Sequence, residues 1–332
     1  MVFGNLETRH GRCGMTRRVL VTGGTGFIGS HLVEQLVKEK YRPIVLKRSY
    51  SNLSRISKYL NAVDFYDLDK ITLEDIFKKE VVDAIVNLAV FYRKDHSYVD
   101  IDEMIDTNVK FPTKLLEMSR SSGVSTFITT GTYFQYDKNI MHIDQETALL
   151  AKDFYAATKN ALERILEFYK SSSEMRMFEF ILFTPYGERD DPKKLIPYII
   201  NSALQGRSID LTQGFQRLYP TYAKDIVSAI IKAVELPEGI RSSSYRFNVT
   251  GGQSYSIREI VTVLEENLDR KIRVNWGRIN TGKIDALQPL SVDITTTENT
   301  LGWTPNTTLE EGLRKTVMYY EGEKNENTQY RN

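Results

Sequence analysis

A tyrosine followed four residues later by a lysine can move protons when a helix stacks the two side chains one turn apart. The phenol alone, with a pKa near ~10, is a poor proton carrier at neutral pH. An ammonium beside it favours the phenolate and brings that value down. In a chain with 19 tyrosines the string occurs as Tyr66/Lys70, Tyr155/Lys159 and Tyr320/Lys324. Position separates them. Tyr66 closes a strand-like run and leads into a loop, and Tyr320 lies in the charged carboxy-terminal stretch. Tyr155 and Lys159 fall in a helical pattern just beyond the fifth strand-like run, so both face one way. They are the candidate proton donor and its electrostatic partner.

Such a donor can serve hydride transfer if a dinucleotide lies beside it. The segment VTGGTGFIGSHLV, residues 21–33, offers a place for one. Gly23, Gly26 and Gly29, with Thr25 among them, mark the point where a β-branched run becomes a helical stripe of Ile28, Leu32, Val33, Leu36 and Val37. At a strand–helix turn, free N–H groups and the helix dipole attract a pyrophosphate, and glycines let it approach. The spacing is G-x-x-G-x-x-G rather than G-x-G-x-x-G. A dinucleotide held there would let Lys159 reach the nicotinamide ribose hydroxyls.

NAD sites usually carry an acid about twenty residues on, bonded to the ribose 2′-OH. Here the second strand runs into Lys47, Arg48 and Ser49, and the next acid along the chain is Asp64. Two cations and a hydroxyl suit a 2′-phosphate, so NADPH is expected ahead of NAD. The plainer reading of the same residues is a solvated loop.

These groups need a scaffold. Runs at 18–22, 43–47, 62–66, 83–89, 124–130 and 177–183 are short, rich in Val, Ile and Phe, and not strictly alternating, as buried parallel strands are. Helical patterns near 28–40, 72–80, 97–121 and 153–171 lie between them. The alternation predicts an α/β fold, a Rossmann-like doubly wound parallel sheet over 15–183. After 184, Pro185, Gly187, Pro192 and Pro197 loosen the rhythm. Helices near 193–205, 222–235, 256–268 and 309–320 then predict a smaller mixed α/β lobe over 184–320, with some segments returning to the sheet. Residues 1–14 and 321–332 read as tails, and a second methionine, Met15, makes an early start codon the other reading of the first. Pro112 sits inside the 97–121 pattern and removes the bond to the Asn108 carbonyl, which predicts a helix that ends and restarts, with a kink that frees that carbonyl as the alternative.

The 332 residues are 41% hydrophobic and 26% charged, with net charge +1, which leaves no electrostatic footprint for nucleic acid. No uncharged apolar stretch reaches the ~18–20 residues that span a bilayer. The first fourteen residues lack a secretory apolar core, and the single cysteine, Cys13, excludes an internal disulfide. A cytoplasmic protein is expected. His10, His31, His96 and His142 lack metal-ligand spacing, so no metal is expected.

With the glycine loop, Tyr155–Lys159 and FITTGTYFQYD between them, the chain resembles the extended short-chain dehydrogenase/reductases. More narrowly it resembles the NAD(P)-dependent epimerase/dehydratase branch that acts on nucleotide sugars. The likeness runs from about Arg17 to Tyr320, through VNLAV (86–90), DTNV (106–109), PYGERDDPKKLIP (185–197), AKDIVSAI (223–230), FNVTGG (247–252) and LGWTPNTTLEEGL (301–313). It implies pyrophosphate on the amides of Gly26, Phe27, Ile28 and Gly29, adenine beside Asp67 and Leu68, and a ribose flanked by Leu88, Ala89 and Val90. It puts the Thr184–Tyr186 turn, with Pro185, against the nicotinamide. Thr130 would hydrogen-bond the reacting oxygen, with Thr129 and Thr132 as structural alternatives. Arg93 and His96 would border the sugar. Lys193, Lys194 and Arg217 are candidates for the substrate diphosphate, and Tyr186 for the substrate side, though each cation alone also reads as surface charge. A homodimer through the helices near 97–121 and 153–171 is expected from the same likeness.

What is missing narrows the chemistry. Sugar 4,6-dehydratases of this branch place Asp-Glu after the threonine, where Gly131 and Thr132 stand. Reductases that epimerise at C3 and C5 use a Cys–His pair, and Cys13 lies in the tail. TGTYFQY…YAATK, LFTPYGERDDPKKLIP and LKRSYSNLSRI are similar to 4-ketoreductases of nucleotide-activated deoxysugars, such as the CDP-abequose and CDP-paratose synthases. The expected activity is therefore NADPH-dependent reduction of a 4-keto group on a CDP- or dTDP-linked deoxyhexose. A nucleotide-sugar 4-epimerase that retains NAD, and a non-catalytic NADP-binding protein, remain the alternatives.

Overall fold

The computed structural model describes residues 17–329 apart from 94, 138, 238–244 and 281–290. The amino-terminal stretch read as a tail lies outside them.

Seven strands form the central sheet: β1 (Arg18–Thr22), β2 (Arg42–Lys47), β3 (Asp64–Asp67), β4 (Ala84–Asn87), β5 (Thr126–Thr132), β6 (Arg176–Leu182) and β7 (Arg246–Val249). Their spatial order is β7-β6-β5-β4-β1-β2-β3, and every neighbouring pair is parallel. The direction of winding reverses between β1 and β4, which opens a crevice at the carboxyl ends of those strands. This is the Rossmann-like doubly wound sheet that the alternation predicts.

Both faces are covered, which explains why the strands lack a polar side. Val19 and Val21 pack with Leu32, Val33 and Leu36 of α1 (Phe27–Lys38) and with Ile226 and Ile230 of α7 (Ala223–Glu235). Leu20, between them, faces the other way with Phe127, Leu115, Leu162 and Leu166. Those residues bring in α4 (Phe111–Ser121) and α5 (Phe154–Ser172). A separate core joins α6 (Leu195–Leu204), α8 (Ile257–Leu268) and α10 (Leu309–Gln329) through Ile199, Ile260, Leu264 and Leu313.

The six strand-like runs omit β7, which is one of the carboxy-terminal segments expected to return to the sheet and pairs there with β6. Two sequence expectations need correction. The carboxy-terminal helix does not stop near 320 but continues to Gln329, because its polar last turns contain no proline to end it. Pro112 does not end its helix either. The chain passes from α3 (Ile101–Ile105) through a π-helical stretch, Asp106–Lys110, straight into α4, with the proline in the first turn of α4. The wider turn absorbs the missing donor without breaking the helix.

Candidate active site

At the glycine loop the backbone explains the residue types. Gly23 has φ +65°, and a Cβ on it would lie 2.6 Å from the carbonyl carbon of Leu88. Gly29 faces the same turn from the helix: its Cβ would lie 2.1 Å from the Gly23 oxygen. These two glycines let α1 and the β4 loop close onto β1. Gly26 is different, with only the Gly23 oxygen near its missing Cβ, at 3.1 Å. It is the N-cap of α1, no side chain caps that end, and no acid stands in the first turn. The amino end of α1 is therefore left to an outside anion.

The loop opens into a cleft of about 1650 Å³. Gly23, Thr25, Gly26, Phe27, Ile28 and Gly29 line one part of it, and Leu88, Ala89 and Val90 form a wall. Asn87, at the end of β4, is buried and accepts from the Thr22 hydroxyl at 2.7 Å, and that hydroxyl accepts from the Ala89 amide at 3.0 Å. Asn108, in the π turn, clamps the far end of the wall by bonding both the N–H and the carbonyl of Phe91 at 2.9 Å. It also donates to Thr158 of α5 at 3.1 Å, tying the wall to the helix that carries Tyr155. The motif DTNV was visible in the sequence, but its clamping role depends on the fold.

Thr130 and Tyr155 line this same cleft, as do Pro185 and Tyr186. Asp153 caps α5 by accepting from the Ala156 amide at 2.8 Å, which fixes where Tyr155 enters the helix. The Tyr155 ring meets Tyr92 edge-on at 4.9 Å. Among the described residues its hydroxyl has no hydrogen-bond partner, and neither has that of Thr130. Thr129 is spent inside: buried, it accepts from the Asn87 side chain at 3.2 Å. Thr132 also faces the cleft, and caps the short turn that follows β5. The rival tyrosines point elsewhere, Tyr66 to Glu80 and Tyr320 to the Asp190 carbonyl at 3.1 Å.

Lys159 stands behind Tyr155, buried, with Nζ donating to the Thr130 carbonyl at 2.9 Å. Burial pulls this ammonium down to about 8, against a pull upward from Glu179. Burial also pushes the Tyr155 phenol above its ordinary range, helped by Tyr92 and Asp153. The expected lowering of the phenol by Lys159 does not set its value here. The ammonium lies 5.9 Å from the ring centroid, while desolvation of the phenolate is the larger effect.

The second-strand cations are less free than the sequence suggested. Lys47 and Arg48 do line the cleft. Yet β2 pairs with β3 so that Lys47 lies opposite Asp67, and the side chains meet at 3.2 Å. Arg48 bonds Asp69 at 2.5 Å, and the Ser49 hydroxyl donates to Asp67 at 2.8 Å. Ser49 and Asp67 are thus partners of each other and lie off the cleft surface, whereas Leu68 lines it. Substituting Asp67→Asn should free Lys47 and raise the NADPH-to-NADH ratio of kcat/KM several-fold, read from steady-state kinetics with both cofactors.

On the far side, Lys193 and Lys194 line the cleft, but Arg93 and Arg217 do not. Arg217 is held by Ser254 and Glu259, through Nε to the serine hydroxyl at 2.9 Å and a 3.3 Å ion pair. Its neighbours Gln216 and Leu218 face the cleft instead. Arg93 packs over Phe91 and pairs with Asp100 at 3.5 Å, and His96 stacks on Phe154. Sequence reasoning missed Asp190, a buried cleft residue with one oxygen bonded to the Asp191 amide and the other unpartnered. Burial pushes its carboxyl up to about 6.

Gly131 also has a structural reason. A Cβ there would lie 2.3 Å from Gln135 Oε1 and 2.5 Å from Ile181 Cδ1, so a larger residue would displace the ends of those two side chains. Among the described residues no His, Cys, Asp and Glu cluster could hold a metal ion, and no helix is long and apolar enough to cross a membrane.

Known proteins resemble this chain along most of its length. CDP-abequose synthase of Salmonella muenchen is 27% identical over 308 residues, covering 92% of this chain and 99% of that one. The dTDP-D-glucose 4,6-dehydratase of Mus musculus is 26% identical, covering 95% of this chain and 92% of its own. The fold matches that of UDP-glucuronic acid 4-epimerase from Bacillus cereus, solved with UDP-glucuronic acid and NAD, at a TM-score of 0.79 and 22% identity over 92% of this chain and 99% of that one. Residues 19–250 match the model of one family, and the chain belongs to it: the NAD dependent epimerase/dehydratase family.

Proposed function

We propose that the protein reduces the 4-keto group of a nucleotide-activated deoxyhexose, CDP- or dTDP-linked, with NADPH as hydride source. The observation that carries this reading is a cleft with one unpartnered phenol and one unpartnered threonine hydroxyl among the described residues, beside positions held by Gly131 and Thr132 rather than by acids. Eliminating water from a sugar needs an acid–base pair beside the threonine, and Gly131 and Thr132 supply no carboxylate there. Ketone reduction needs only a hydride and a proton.

The residues fit a dinucleotide. The uncapped end of α1 would hold the pyrophosphate, Leu88–Val90 the nicotinamide ribose, and Leu68 the adenine; Lys159, expected at the ribose, is instead buried off the cleft surface on the Thr130 carbonyl. When bound, the reduced nicotinamide supplies the hydride to C4. Thr130 holds the ketone oxygen by hydrogen bond, and Tyr155 gives that oxygen its phenolic proton as negative charge develops. The phenolate is then reprotonated from solvent. Lys193 and Lys194 supply positive charge for the substrate diphosphate.

A second reading, a 4-epimerase retaining NAD, is favoured by one observation: Lys47 and Arg48 are already neutralised by Asp67 and Asp69. One experiment separates the two. The protein is incubated with NADPH or NADH and 4-keto-6-deoxy or 4-keto-3,6-dideoxy sugars carried on CDP, dTDP, GDP and UDP. A reductase consumes the cofactor in step with a new alcohol identified by NMR. An epimerase purifies with dinucleotide and consumes none. If no nucleotide sugar changes in either format, the enzymatic reading fails.

A further inference from the structure

Beneath the strand that carries Thr130 lies an acid that the proposed chemistry leaves unused. Glu179, in the middle of β6 and opposite Thr129 of β5, has no solvent exposure. Its carboxylate reaches under Gly131, where a Cβ would come 3.0 Å from Oε1. Oε1 accepts from the Gln135 side chain at 3.2 Å, and Oε2 has no partner. A half-satisfied buried carboxylate is costly and calls for a compensating charge.

The charged and titratable groups around it come from three elements: Lys159 and Glu163 on α5, Arg246 on β7, and Tyr136 in the turn after β5. The facing stretch of β5 offers none. Arg246 is committed to Glu163, with Nε at 3.0 Å and a second, closer contact through its terminal nitrogen, and also donates to the Gln145 carbonyl at 2.8 Å. Lys159 makes no ion pair among the described residues; its recorded bond is to the neutral Thr130 carbonyl. Glu179 and Lys159 thus meet adjacent residues of β5, the ammonium at the Thr130 carbonyl and the carboxylate under Gly131, with no other acid paired to the ammonium among the described residues. Burial and Glu163 push the Glu179 carboxyl upward, while Gln135, Arg246 and Lys159 pull it down.

We propose that Glu179 is a positioning residue for the Tyr155–Lys159 pair: a buried carboxylate under the Thr130 strand that holds Lys159 in its charged form. The inference rests on the proposed roles of Tyr155 and Lys159. It assigns no proton transfer to Glu179, only a field at the ammonium.

The test is a titration of Lys159 in the full chain by NMR of isotopically labelled lysine, its signal identified by loss in Lys159→Met. In Glu179→Gln the Lys159 midpoint is expected about one pH unit lower than in the unchanged protein. The alkaline limb of kcat/KM for ketone reduction should move by the same amount, with rates near pH 6 little changed. Should the glutamine variant not fold, Glu179→Leu removes the same charge together with the unpartnered Oε2, at the cost of the Gln135 side chain's bond to Oε1. An unmoved Lys159 midpoint in either folded variant overturns the proposal, including when activity falls evenly at all pH values. If instead Lys159→Met and Tyr155→Phe reduce the ketone normally, the functional reading falls while the electrostatic coupling is still measured.

Discussion

Tyr155→Phe should lower kcat for ketone reduction by about 10²–10⁴-fold, the usual contribution of one positioned general acid. It should leave dinucleotide affinity within about two-fold, since one polar atom away from a helix-held pyrophosphate contributes little to that binding. The substitution removes a hydroxyl that no protein group among the described residues bonds, so none of their buried donors or acceptors is orphaned by its loss. The edge-on contact with Tyr92 belongs to the ring and survives in phenylalanine. Lys159 keeps its bond to the Thr130 carbonyl. The loss should thus fall on kcat, measured by NADPH absorbance under saturating ketone, with fluorescence titration checking that the cofactor still binds. A variant reducing ketone at near-normal rate would remove the proton donor from the scheme. A variant that no longer binds dinucleotide would mean that residue 155 is a structural member of the cofactor site.

Much of the framework was readable because the signals were local. Six strand-like runs between helical stripes define six of the sheet strands with ends displaced by no more than two residues. The three-glycine turn places the cofactor end, and one turn of helix joins Tyr155 to Lys159. What the sequence misread depends on pairing between distant segments. Lys47, Arg48 and Ser49 looked like an open phosphate site because the acids that occupy them arrive from the neighbouring strand, in a register that sets Lys47 against Asp67. Arg217 looked available because its partners, Ser254 and Glu259, lie beyond an antiparallel pairing of 217–218 with 255–256. β7 was missed for a similar reason: four residues show no period, and only Glu179–Leu182 on β6 makes them a strand. Glu179 is the extreme case. MFEFILF reads as a strand with one misplaced charge, and its meaning appears only when Lys159, Gln135 and Arg246 converge on it.

The glycine loop yields the other large effect, because two of its glycines should fail in different ways. In Gly29→Ala the new carbon would sit 2.1 Å from the Gly23 oxygen and 2.8 Å from the Gly24 Cα, both backbone atoms that cannot rotate away. α1 must then back off β1, and forcing such overlap into a packed region costs about 1–3 kcal/mol. Denaturant unfolding should show that loss, and dinucleotide binding should disappear with it, because the amides at the helix end move with the helix. In Gly26→Ala the only close neighbour is the Gly23 oxygen at 3.1 Å, and the position keeps an ordinary extended φ of −77°. Replacing glycine by alanine at an N-cap costs no more than about 1 kcal/mol, so the fold should hold. Its methyl, however, stands at the uncapped helix end where the pyrophosphate would lie, and affinity for NADPH and NADH alike should fall at least ten-fold, an expected steric loss of about 1.4 kcal/mol or more. Affinity measured beside stability distinguishes the two roles: Gly29 shapes the protein, and Gly26 leaves room for the ligand. If Gly26→Ala binds dinucleotide as tightly as the unchanged chain, the end of α1 is not the phosphate cradle, and the orientation of the whole cofactor in the cleft must be redrawn.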